Sequence, residues 1–258
     1  MASAYETIRV ERRDRVAVLW MNRPEKRNAM SPTFFRELPA VLDELDEDAG
    51  VGAVVLTGAG DAFSAGGDIS GFGELTDLAA YRRQLRLVED AFHALEQAAL
   101  PVIAAVNGVA YGGGAEIVLF CDFVIASEQA RFAFREIALG LQPGYGLVRG
   151  PDVIGRQWTK YLALTGDIVD ARKAKEIGLV QEVVSHESLL DEALAVAGRI
   201  AANPPIAVRV GKRFVNRDTP GGGLRETMEA TAILFTTEDH KEGQRAFVEK
   251  RAPRFTGR

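Results

Sequence analysis

The chain alternates short β-branched and apolar runs with longer stretches in which apolar positions return every three or four residues. Apolar runs begin at Val16 ("VAVLWM"), Val51 ("VGAVVLTG") and Pro101 ("PVIAAVNG"), and two more, "FVIAS" and "RFAF", lie close together between residues 123 and 134. Runs of this length predict strands, and their alternation with helical patterns predicts an α/β core with parallel pairing. Between them, "SPTFFRELPAVLDELDED" predicts a helix with Ser31 as N-cap and Pro32 in its first turn, kinked at Pro39. A second helix, running to about Leu100, places Leu85, Val88, Phe92 and Leu95 on one face. From about residue 155 the pattern is almost wholly helical. "QWTKYLALTG" is followed by "DARKAKEIG", with Asp170 as N-cap and Gly178 as C-cap, then by one strand, "LVQEVV", and three more helices. "ANPP" at 202–205 is the clearest break in this region, because consecutive prolines cannot continue a helix.

Composition narrows the possibilities. At 258 residues and 47% hydrophobic, the chain is able to bury one large core, with or without a small appendage. A formal charge of -5 works against binding to nucleic acid, which draws most of its affinity from clustered Lys and Arg. A single cysteine, Cys121, excludes an intramolecular disulfide and a Cys-rich metal site. The first residues carry no apolar signal core, and no stretch has the eighteen or so apolar residues of a membrane span, so a cytoplasmic protein without membrane contact is expected. His93, His186 and His240 are far apart and no H-E-x-x-H occurs, so no metal is expected.

Candidate chemistry centres on "NGVAYGGGAEIVLF", residues 107–120, where Gly112, Gly113 and Gly114 stand between a predicted strand and an apolar run of helix length that contains Glu116. Glycines at a helix start let a ligand oxygen approach the first N–H groups, which have no partner within the helix, and this is the chemistry of an oxyanion hole. Equally, the glycines serve tight packing and Glu116 complements the helix dipole. A second turn of this kind, "GAGDAFSAGGDIS", leaves the N–H of Ala65 as a possible second donor, or is a surface loop. Glu136, in "FREIALGLQPGYG", is either a solvated charge beside Arg135 or the second of two carboxylates flanking a reacting centre. A P-loop, a dinucleotide fingerprint and a G-x-S-x-G elbow are all missing.

Taken in order, "RPEKRNAM", "AFSAGGDI", "PVIAAVNGVAYGGGAEI", "LTGDIVDARKAKEIGLV" and "EGQRAFVEKRAPRF" resemble the enoyl-CoA hydratase/isomerase, or crotonase, superfamily over nearly the whole chain. The resemblance implies an α/β fold, a crotonase-like spiral of ββα repeats over residues 1–195, with a helical C-terminal trimerisation region over 196–258. It implies a homotrimer or a hexamer built as a dimer of trimers. It also implies an acyl-CoA thioester substrate, with coenzyme A as part of that substrate and no separate cofactor.

Carried over residue by residue, the resemblance assigns the oxyanion-hole N–H groups to Ala65 and Gly113 and the two catalytic glutamates of the hydratase subgroup to Glu116 and Glu136. It places Lys26 and Arg27 near CoA phosphates and "AGGD" (Ala65, Gly66, Gly67, Asp68) around the adenine, with Phe247 and Lys250 reaching CoA from a neighbouring subunit. Both glutamates together imply hydration of an enoyl thioester. Isomerase, ring-processing and hydrolase chemistry on the same scaffold, and a non-catalytic CoA-binding role, are the alternatives. The chain departs from the family pattern at Arg135, where hydratases usually have proline, and in "PGYGLVRG", where "PGAGGTQR" is more typical. Both departures lie beside Glu136 and the acyl pocket and leave the acyl chain open.

Overall fold

The structure is a computed structural model that describes residues 5–70, 77–203, 205–216, 232, 235–236 and 238–251. Strand β1, Ile8–Arg13, pairs antiparallel with β2, Val16–Met21, which runs parallel to β3, Ala53–Gly58. The sheet continues in parallel through β5, Val102–Val106, to β7, Phe123–Ser127, and β10, Glu182–Val184. Its central strands read as unbroken apolar runs because both faces are covered. Val54, Leu56 and Ala104 look into the main core, whereas Val55, Ile103 and Ile125 meet Leu189, Ala193 and Ala197 of α7, Leu189–Ala201.

After β3, β5 and β7 the chain crosses each time to a second, smaller sheet. Its strands β4 (Ala62–Ser64), β6 (Val109–Tyr111) and β8 (Arg131–Ala133) are parallel, and β9 (Val169–Asp170) closes it antiparallel to β8. A helix follows each small-sheet strand: α2 (Leu78–Gln97), α3 (Gly113–Ile117), and the 3-10 helix Arg135–Leu139 leading to α4 (Gly144–Val153). The result is the spiral of ββα turns that the resemblance implies.

The helices begin where their caps place them. Ser31 Oγ accepts from the N–H of Phe34 at 3.3 Å to start α1, Pro32–Glu47, which runs on past Pro39. Asp170 Oδ1 accepts from Lys173 N at 2.7 Å to start α6, Ala171–Glu176, and Gly178 beyond its end has φ 91°. The remaining helices are α5 (Gly155–Thr165), α8 (Pro205–Asn216) and α9 (Glu238–Val248). The expected division at 195/196 falls inside α7, which ends only at Ala201, beside the "ANPP" break. Among the described residues no helix is long and apolar enough to cross a membrane.

The fold departs from the sequence expectation in the apolar run after the three glycines. It forms only five residues of α3 and a 3-10 turn, Val118–Phe120, rather than a helix of ordinary length. The chain is already back in the large sheet at Asp122, whose N–H donates to Val102 O at 2.9 Å while its carboxylate accepts from Val102 N at 2.8 Å.

Candidate active site

The turns that leave the small-sheet strands β4, β6 and β8 place the candidate residues. At the end of β6, Gly112 N donates to Ala133 O at 2.8 Å, which ties the turn to β8, and Gly112 itself adopts φ 51°, ψ -127°. A Cβ at Gly112 would come within 2.8 Å of Glu136 Oε1, and one at Gly114 within 2.5 Å of the Ser64 carbonyl oxygen. At Gly113 a Cβ would meet Met30 Cε at 2.9 Å. The triple glycine is therefore required for packing as well as for any ligand: one residue clears a carboxyl group, one a methionine and one a neighbouring strand.

The turn after β4 is laced to residues 27–30. Met30 N donates to Gly66 O at 2.8 Å, and Asp68 N to Met30 O at 2.9 Å. Asp68 is also held by Arg23 at 2.9 Å and by Ser70. Burial would raise its pKa, but these partners outweigh it and keep the carboxyl below the usual range.

One expected donor is corrected here. The N–H of Ala65 donates to Arg27 O at 2.9 Å and is not available to a ligand. Gly66, at φ 104°, turns the chain after it. Because Met30 bonds to residues 66 and 68, the N–H of Gly67 turns away from Met30, and its nitrogen lies 3.6 Å from the point a Cβ on Gly113 would occupy. Gly113 is the first residue of α3, so its N–H has no acceptor within the helix. Gly67 and Gly113 thus bring two backbone N–H groups close together at the cavity.

These turns line a cavity of about 350 Å³ that also contains Glu116 and Glu136. Glu116 is 5% exposed, and its Oε1 accepts from Gly146 N at 2.8 Å in the first turn of α4. Burial pushes its carboxyl up to about 7 against the opposing effect of N–H groups from Gly146 and Tyr145. Glu136 is half-buried in the 3-10 helix after β8, and its Oε2 is shielded from water with no hydrogen-bond partner in the structure. Burial first, and the charge of Glu116 second, raise its pKa well above the usual carboxylate value, with Arg135 offsetting part of the rise. The two carboxyls thus share one cavity, and the charge of Glu116 disfavours ionisation of Glu136.

Of the residues expected from sequence, Ala65, Gly66, Gly67, Asp68, Gly113, Glu116, Glu136 and Phe247 line this one cavity. Lys26, Arg27 and Lys250 do not: all three are exposed, Lys26 and Arg27 beside the Ala29–Met30 wall and Lys250 just beyond α9. Phe247 was expected from a neighbouring subunit, yet it reaches the cavity of its own chain. The reason is that α9 packs on the helix carrying Glu136. A Cβ at Gly243 would come within 2.6 Å of Leu139 Cα, and the buried His240 ring bonds Leu139 O at 3.0 Å. Sequence reasoning missed the N–H groups of Tyr145 and Gly146 that hold Glu116, although "PGYG" before an apolar pattern marks a helix start. Among the described residues no group of three His, Cys, Asp or Glu side chains is placed to hold a metal ion.

The comparisons with known proteins agree with this architecture. The family model described as "Enoyl-CoA hydratase/isomerase" matches residues 11–258. The chain belongs to the enoyl-CoA hydratase/isomerase family. It is 42% identical to a Rhizobium meliloti protein named "Probable enoyl-CoA hydratase", over 99% of this chain and 100% of that relative. It is 38% identical to the "Crotonyl-CoA hydratase" of Syntrophomonas wolfei, over 98% of each chain. Among solved structures, the carnitinyl-CoA hydratase from Mycobacterium avium superposes with a TM-score of 0.87 at 36% identity, covering 98% of this chain and 99% of the other. Membership of the family accounts for the motif order seen in the sequence, and the spiral of ββα turns is the fold it shares with these structures.

Proposed function

We propose that this family member is an enoyl-CoA hydratase, which adds water reversibly across the 2,3 double bond of an enoyl-CoA thioester. The observation that carries the reading is the pair of carboxyls, Glu116 buried and Glu136 half-buried, in one cavity with the N–H groups of Gly67 and Gly113. In the proposed reaction the thioester oxygen accepts hydrogen bonds from Gly67 and Gly113, which stabilise the enolate as negative charge develops there. Glu116, held by α4, takes a proton from the water whose oxygen bonds to the β-carbon. Glu136, whose pKa burial and the charge of Glu116 raise well above the usual carboxylate value, gives its proton to the α-carbon. One water is consumed, and the proton left on Glu116 returns to Glu136 through solvent. Coenzyme A enters as part of the substrate, and the scheme calls for no metal or other cofactor.

The test is a panel of enoyl-CoA thioesters followed by loss of the conjugated absorbance, with Glu116→Gln and Glu136→Gln beside the parent. Glutamine keeps size and hydrogen bonding but carries no proton for transfer, so each variant is expected to lose roughly 10²–10⁴ in kcat while still binding the ester. Hydration by Glu116→Gln near the parent rate would show that the reaction does not need both carboxyls, as in an isomerase that moves a proton through Glu136 alone.

A further inference from the structure

We propose that Tyr145 sets the acyl-chain length: its ring closes the apolar end of the cavity, so the site takes short enoyl chains and shuts out long ones. This deepens the hydratase reading and rests on it for the direction in which the acyl group lies. With the thioester oxygen at Gly67 and Gly113 and the reacting carbons between the two glutamates, the rest of the acyl chain continues past Glu116. The residue met there is Tyr145, whose backbone N–H helps to hold the Glu116 carboxyl. Its side chain lines the cavity and is 4% exposed.

The wall behind it is solid. The Tyr145 ring packs 4.7 Å from Phe92, which also lines the cavity, and both rings pack on Phe120, at 6.2 and 5.3 Å respectively. Phe120 is buried and is not one of the cavity-lining residues, and Arg149 lies 5.7 Å over its ring, paired with the buried Glu96 at 2.5 Å. The wall is also fixed in place. The Tyr145 hydroxyl donates to the Leu85 carbonyl on α2 at 3.1 Å, so swinging the ring aside would leave a buried hydroxyl without its acceptor. At this position "PGYG" carries a phenol ring where the common family pattern, "PGAG", carries a methyl group, and the ring fills space in which a longer acyl chain would lie.

The experiment compares kcat/KM for trans-2-butenoyl-CoA and trans-2-decenoyl-CoA in the parent, Tyr145→Ala, Tyr145→Leu and Tyr145→Phe, together with the Kd values of butanoyl-CoA and decanoyl-CoA by calorimetry. Each comparison is a ratio within one variant, so it does not depend on how much of that variant is folded. One methylene too many in an apolar pocket costs roughly 10–200-fold in kcat/KM. The parent is therefore expected to prefer the four-carbon ester by at least about tenfold, and Tyr145→Ala to raise the ten-to-four ratio by at least about tenfold. Tyr145→Leu should fall between these two, while Tyr145→Phe, which keeps the ring, should stay within about threefold of the parent ratio. A parent that accepts ten carbons as readily as four, or a Tyr145→Ala ratio equal to that of the parent, would overturn the proposal. If the parent binds both saturated esters but hydrates neither enoyl ester, the hydratase reading fails and the Kd ratio decides the chain-length proposal by itself.

Discussion

A carboxyl that the fold holds up to about pH 7, as it does Glu116, makes stability depend on pH in a definite direction. In the unfolded chain the same group loses its proton near its ordinary value of 4.5. Between those values the folded protein binds more protons than the unfolded chain, so its stability is fully present below about 4.5 and falls as pH rises towards 7. Glu136, also raised by burial and by the charge of Glu116, adds a loss of the same sign as pH rises. Glu116→Gln cannot ionise. Its stability relative to the parent is expected to be nearly unchanged at pH 5 and higher at pH 8 by on the order of a few kcal/mol, read as a higher melting temperature. Parallel melting curves for the two proteins across that range would contradict the burial argument. Stability given up at Glu116 in the parent is the counterpart of the poised acid and base in the proposed mechanism.

At the scale of elements, two packings hold the glutamates in register. The first turn of α4 grips Glu116 through Gly146 and Tyr145, and α9 backs the 3-10 helix that carries Glu136 through Gly243 and His240. Gly243 allows an approach that no larger residue tolerates. A valine there would place its side chain against the Leu139 backbone and push the two helices apart. Gly243→Val is expected to fold with its core sheets intact and to lose about tenfold or more in kcat, because small misplacements of a catalytic group carry large rate penalties. Parent kinetics in a variant whose circular dichroism is also unchanged would show that α9 does not position Glu136.

For the whole molecule, the spiral alternates between the large and small sheets, and the turns that leave the small-sheet strands β4, β6 and β8 all reach the same cavity. The outer helices leave large apolar side chains in solvent: Leu164 at 70%, Ile168 at 51% and Tyr161 at 45% exposure, on or just after α5. Such side chains favour association. The chain is expected to run as a trimer or hexamer in light scattering, and a stable, fully active monomer would count against that. Phe247, which lines the cavity of its own chain, also keeps 62% of its surface exposed.

Much of the fold was legible because its physical demands are local. Strands covered on both faces must be apolar at every position, which is why "AVVLT", "VIAAV" and "FVIAS" stand out. Caps such as Ser31 and Asp170 announce themselves by residue type. Glu116 and Glu136 were visible because a carboxylate inside an apolar run is costly unless it has a purpose. The three-residue strands β4 and β6 are too short to show a period, and α3 is cut short by the sheet that the chain must rejoin. Exposed Lys26, Arg27 and Lys250 carry no packing signal to say where they lie. Backbone donors were the least legible of all, since every residue here except proline has an N–H and sequence does not say which way it points. That Ala65 gives its N–H to Arg27 while Gly67 turns towards Gly113 depends on the bridge between Met30 and Gly67, a pairing of segments far apart in the chain. The two candidate carboxyls were thus legible in the sequence, whereas the partner of the Ala65 N–H and the packing of Tyr145 against Phe92 were decided only when distant segments packed together.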